Sequence, residues 1–168
     1  MIDTLGNIGD FIGGIGVVVT LLYLALQIRA SRLQTQAEDT TTAVDRWLFA
    51  QTKQLSTPEN VNFIRRAYSS YDDLSTDEKG VFAGYMMELN AAYQAALNLN
   101  EKGLLDTRQF QTIETAMAAH LKCVGAQAWW QEIKPHWPEH MAIRMDRIVA
   151  EYTGPSFSES VSFWSAPD

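Results

Sequence analysis

Cysteine is nearly absent from this chain: Cys123 is the single thiol in 168 residues, which excludes an internal disulfide and suits a reducing compartment. Charge is absent from residues 11–28, FIGGIGVVVTLLYLALQI, an unbroken run of eighteen residues followed at once by Arg29 and Arg32. Basic residues are absent from the first 28 positions, which carry only Asp3 and Asp10. Proline and glycine are absent from residues 30–57, so nothing there ends a helix. No alternating strand pattern and no Asn-Gly hairpin signal occurs, which leaves no case for a sheet. The chain also lacks a Walker loop, a dinucleotide-binding glycine loop and a G-x-S-x-G elbow.

What is present starts with the uncharged run. At about 1.5 Å per residue, eighteen helical residues cover ~27 Å, enough to cross a hydrocarbon core of ~30 Å if the ends reach the interface. A cleaved signal peptide would need a basic start and a small-residue cleavage site. Here the start is acidic and LALQIRA offers no A-x-A, so a retained anchor is expected. The arginines on one flank place residues 29 onward in the cytoplasm and residues 1–9 outside.

Small or polar residues follow one face of this helix at alternating three- and four-residue steps: Gly6, Gly9, Gly13, Gly16, Thr20, Tyr23 and Gln27, continuing through Ala30, Gln34, Ala37, Thr41, Val44 and Leu48. In lipid, helices associate by close packing and interhelical hydrogen bonds, and glycine lets backbones approach. The stripe predicts association with another helix, most simply a second copy. If Thr20, Tyr23 and Gln27 turned inward in a ring, the same face would line a pore. A seven-residue repeat of this kind implies a left-handed coiled coil.

The helix is expected to span the membrane over residues 10–28 and continue as a stalk over 29–56, weakest at the threonines of 40–42. Residues 57–153 punctuate themselves as a cytoplasmic helical bundle. Thr57-Pro58 opens one helix, Ser75 with Glu78 a second, Asp106 with Gln109 a third and Pro138 a last. Gly103 and Gly154-Pro155 are stops, Gly125 an interruption and Pro135 a break. The expected class is therefore all-α. The tail, 154–168, spaces Phe157, Val161 and Trp164 helically and is either disordered or docked on a neighbouring subunit.

Residues IGGIGVVVTLLYLALQIR, the polar stalk, DLSTDE at 73–78, EKGLLD at 101–106, Trp129-Trp130 and KPHWP at 134–138 together resemble a widespread group of uncharacterised bacterial membrane-anchored proteins. The resemblance covers roughly residues 8–150. It implies an inner-membrane protein with a small helical cytoplasmic domain and brings no catalytic residues with it.

Candidates for chemistry are few. His120, Cys123, His136 and His140 have zinc-finger intervals with histidine in place of the first cysteine, but a finger needs a ββα unit and residues 124–134 read as helix. Glu88 sits among Tyr85, Met86, Met87, Leu89 and Tyr93 without a partner acid or histidine, a weak setting for acid–base work. Trp129, Trp130, Trp137 and Trp164 suit core anchors or an interface. Residues 29–168 hold 13 basic and 18 acidic groups, which argues against nucleic acid. These residues predict a non-enzymatic membrane protein, a scaffold or accessory subunit, with no metal, no cofactor and the lipid bilayer and its own copies as partners.

Overall fold

The computed structural model describes residues 2–53 and 55–160, without the side chains of residues 2–13, 15 and 36. Among these residues the protein is all-α and holds no strand. The elements are α1 (Ile2–Lys53), α2 (Pro58–Ser69), α3 (Thr76–Glu101), α4 (Thr107–Leu121), α5 (Val124–Ile133), a 3₁₀ turn (Lys134–His136), α6 (Glu139–Glu151) and α7 (Phe157–Ser160). The chain divides into two compact units, Met1–Glu38 and Asp39–Asp168. The described residues of the first belong to α1, which is helical from Ile2 and continues unbroken through residues 40–42.

Local chemistry accounts for the helix ends of the second unit. Thr57 accepts a hydrogen bond from the Asn60 amide, and Pro58, with no N–H to satisfy, takes the first helical position of α2. Ser75 and Glu78 form a reciprocal capping box at the start of α3. Asp106 accepts from the Arg108 and Gln109 amides to start α4. The end of α3 is a Schellman motif: Leu104 N–H bonds the Leu99 carbonyl, Gly103 N–H bonds that of Asn100, and Gly103 sits at φ +68°. A Cβ at Gly103 would meet nothing within 4 Å, so the cost of a side chain there is conformational alone. Gly103→Ala should lower stability by about 1 kcal/mol, measured by denaturant unfolding.

The core of this unit takes residues from each of α1 to α6. Trp47 of α1, Ile64 and Tyr68 of α2, Phe82, Tyr85 and Leu89 of α3, Met117 and Leu121 of α4, Trp129 of α5 and Met145 of α6 are all buried. Each such side chain contributes on the order of 1.5–3 kcal/mol by leaving water, so the core is ample for an independent domain. The stretch expected as stalk thus joins the bundle: Ala43, Trp47 and Ala50, at helical spacing, are core residues.

Arg144 of α6 ties three helices together. Its Nε donates to the Tyr93 hydroxyl at 2.6 Å and its Nη2 to Glu114 at 2.7 Å, while Tyr93 donates to the same carboxylate at 2.9 Å. The charged pair is more than two-thirds buried and Tyr93 bonds both of its members, the added hydrogen bonding that helps a buried ion pair hold.

Two expectations are corrected in detail. The break between α4 and α5 falls at Lys122 and Cys123, ahead of Gly125, which lies inside α5. Phe157 is docked on its own bundle, against His120 and Tyr68, rather than held for a neighbour. Val161 and Trp164 lie outside the described residues.

Candidate functional site

Two places carry chemistry beyond ordinary packing: the apolar face of α1 and a buried polar cluster around His120.

In α1 the segment from Gly16 is long and apolar enough to cross a membrane, and among the described residues none of its most apolar stretch is buried. Val17, Val18, Val19, Leu21, Leu22, Leu24 and Leu26 are 46–66 % exposed. Soluble folds cover side chains of this kind, because each left in water forfeits roughly 1.5–3 kcal/mol.

Gly16, Thr20, Tyr23 and Gln27 share one face of the helix. Thr20 Oγ1 donates to the Gly16 carbonyl at 2.8 Å, and Gln27 Nε2 donates to the Tyr23 hydroxyl at 2.9 Å. Thr20 is thereby satisfied within its own helix. Gln27 keeps its amide oxygen and one N–H for another partner. A Cβ placed on Gly14 or Gly16 meets nothing within 4 Å, so the chain's own fold does not require glycine at either position. Gly6, Gly9 and Gly13 are in α1 by backbone, and what surrounds them lies outside the described residues.

The second place was not anticipated. His120 on α4 is fully buried, and Gln51 Nε2 of α1 stands 2.9 Å from its Nε2. An amide nitrogen can only donate, so Nε2 accepts and Nδ1 carries the proton, which goes to the Tyr68 hydroxyl 2.6 Å away. Tyr68 in turn donates to Tyr85 at 3.4 Å, a long and weak bond. Gln51, His120, Tyr68 and Tyr85 thus form one directed chain across α1, α4, α2 and α3. Phe157 of α7 stacks on the imidazole with centroids 4.1 Å apart, and Trp47 meets it edge-on at 6.1 Å.

Burial drives the His120 pKa down to about 3 and that of Tyr85 up to about 12, and raises that of Tyr68 well above its ordinary value. All three groups are therefore neutral at neutral pH, and the cluster bonds neutral partners rather than offering a general acid or base.

The linkage has a sign. An unfolded His120 protonates below about 6.5 while the folded one stays neutral to about 3, so stability is full above pH 6.5 and falls as pH drops toward 3. Between pH 7 and 5 the loss should be about 2 kcal/mol in urea unfolding read by tryptophan fluorescence. His120→Gln should flatten the pH dependence over that interval, and an unchanged slope in this variant would assign the effect elsewhere.

The four zinc-finger positions are not brought together. His120 uses both ring nitrogens, Cys123 is buried with its thiol directed to Ala119 and Ser158, and His136 and His140 are exposed. No group of three or more metal-ligating residues occurs among the described residues. Glu88 forms a surface ion pair with Lys53 at 2.9 Å. Trp129 and Trp130 are core residues, and Trp130 donates to Asp146, which also binds Lys134. A shallow groove beside α4, about 470 Å³, is lined by Arg108, Gln111, Thr112, Thr115 and Tyr152 among others and gathers no acid–base pair or nucleophile.

Comparison of the chain with protein-family models, with characterised proteins and with solved structures finds no match.

Proposed function

We propose that this is a non-enzymatic, single-pass membrane protein that self-associates through the glycine-bearing face of α1 and serves as a scaffold or accessory subunit of a membrane complex. One observation carries the reading: among the described residues a row of aliphatic side chains in α1 stands uncovered, beside a face where Gly16 has open space that the fold does not need. Lipid accounts for the aliphatic row, and a second copy of α1 accounts for the slim face. By the distribution of basic residues, residues 29 onward face the cytoplasm, and the likeness to bacterial membrane-anchored proteins favours the inner membrane.

The test is Gly16→Leu. Because a side chain there meets nothing within the chain, the substitution should leave the helix and bundle intact while blocking close approach of a neighbour. Association in detergent should weaken about tenfold or more, read by equilibrium sedimentation. An oligomer of unchanged size would remove the glycine face from the interface.

The Tyr23–Gln27 pair supports a second reading, a homo-oligomeric pore. Gln27 retains a free amide oxygen and N–H that could face water in a ring of copies. A pore requires conductance that changes in Gln27→Leu, whereas silent bilayers containing intact oligomers leave the scaffold.

A further inference from the structure

Helix α7 is only four residues long, too short to persist by its own hydrogen bonds, so its place depends on what it touches. Phe157 packs against Tyr68 as well as His120, and the Tyr152 hydroxyl donates to the Pro155 carbonyl at 2.9 Å. Ser158 Oγ lies 3.6 Å from Cys123 Sγ, and Lys122 Nζ of the α4–α5 junction donates to the Gly154 carbonyl at 2.6 Å. Ser156 and Glu159 bond each other through the Ser156 amide and hydroxyl at 2.8 Å each, and Ser156 Oγ also lies 3.1 Å from Ser158 Oγ. Beneath this short segment lie two groups of latent reactivity, the His120 imidazole and the Cys123 thiol, both buried. Local opening draws on short elements of this kind, held in place by side-chain contacts rather than by their own helical bonds.

We propose that residues 153–160 form a latch over His120 and Cys123, and that the latch opens when His120 takes up a proton. Closed, the site disfavours an imidazolium: the ring is fully buried, its Nε2 accepts from Gln51, and among the described residues no carboxylate bonds it. Among the described residues the neighbouring elements offer no counter-charge. Tyr68 of α2, Tyr85 of α3 and Cys123 before α5 are the titratable groups around it, and burial raises the pKa of each, so all stay neutral through the acid range. From α1 come Trp47 and Gln51, and from α7 comes Phe157. The latch's own charged groups are Glu159, held ionised below the usual range by its bonds to Ser156, and its anchor Lys122. Across pH 7 to 5 the group at this site that changes charge on opening is therefore His120. An imidazole exposed by opening returns toward its ordinary proton affinity, so each pH unit below about 6.5 favours the open form about tenfold.

Cys123 is the chain's single cysteine and reports opening directly. The full-length protein in detergent micelles is labelled with 4,4′-dithiodipyridine at pH 7, 6 and 5, each rate divided by that of N-acetylcysteine at the same pH, with far-UV circular dichroism recorded alongside. The expected result is a normalised rate that rises about 20- to 30-fold from pH 7 to pH 5 with the helical signal unchanged. Phe157→Ala should raise the pH 7 rate about tenfold or more, and His120→Gln should label with no pH dependence. Either of two results overturns the latch: a normalised rate independent of pH in the wild type, or labelling at the same rate in Phe157→Ala, which would show that the thiol is reached only by global unfolding. Should His120→Gln fail to fold, the wild-type pH series and Phe157→Ala decide alone.

Discussion

Gly125→Ala should cost the bundle about 3 kcal/mol, seen as a fall in the urea midpoint of the full-length protein followed by tryptophan fluorescence. At Gly125, α5 crosses α2 so closely that a methyl group would sit 1.8 Å from the Ala67 carbonyl oxygen and 2.9 Å from its carbon. Both atoms are backbone, so no rotamer change relieves the clash and one helix must move. Moving α2 displaces Tyr68, whose hydroxyl is bonded to His120, and the penalty extends beyond the single contact. Gly84 on the exposed face of α3 supplies the control, because a Cβ there meets nothing within 4 Å. Gly84→Ala should stabilise by about 1 kcal/mol through helix propensity alone. Equal midpoints for Gly125→Ala and the wild type would mean that α2 and α5 separate freely.

This glycine also marks where the sequence stops being legible. Read along the chain, Gly125 in a short helix looks like a flaw, and its use is visible only when Ala67, far away in sequence, is brought beside it. The helix ends, by contrast, were readable at Thr57, Ser75, Gly103 and Asp106, because capping is settled within a few residues. Register between helices is not local in this way. His120 finds Gln51 and Tyr68 from 69 and 52 positions away, so the sequence offered only its spacing to Cys123, which pointed toward a metal.

Trp47 could have been found. Ala43, Trp47 and Ala50 repeat at four and three residues, but the neighbouring stripe of Ala37, Thr41, Val44 and Leu48 matched the glycine face and drew the reading toward a free stalk. The structure leaves Ala37, Thr41 and Leu48 exposed and buries the adjacent stripe in the bundle. One helix therefore carries an apolar face for its own domain in its last fifteen residues and an uncovered apolar surface further up.

That uncovered surface makes the strongest prediction. The double variant Val18→Arg, Leu22→Arg should move the protein from the membrane pellet to the supernatant in carbonate-washed fractions while leaving the bundle folded. Val18 and Leu22 are 66 % and 62 % exposed and lie one turn apart on α1, so arginine at either replaces an exposed side chain. An arginine near the centre of a spanning helix costs about 2.5–3.5 kcal/mol on insertion scales, so the pair opposes insertion by about 5–7 kcal/mol, or more than a thousandfold in partition. Snorkelling relieves such a penalty near the interface, but both positions sit mid-run, far from Arg29. Were lipid not the solvent of this segment, the same change would merely place charge on a water-facing surface and leave the distribution as it was. Retention of the double variant in the membrane fraction would thus show that something other than α1 holds the protein there, and self-association through the glycine face would lose its setting.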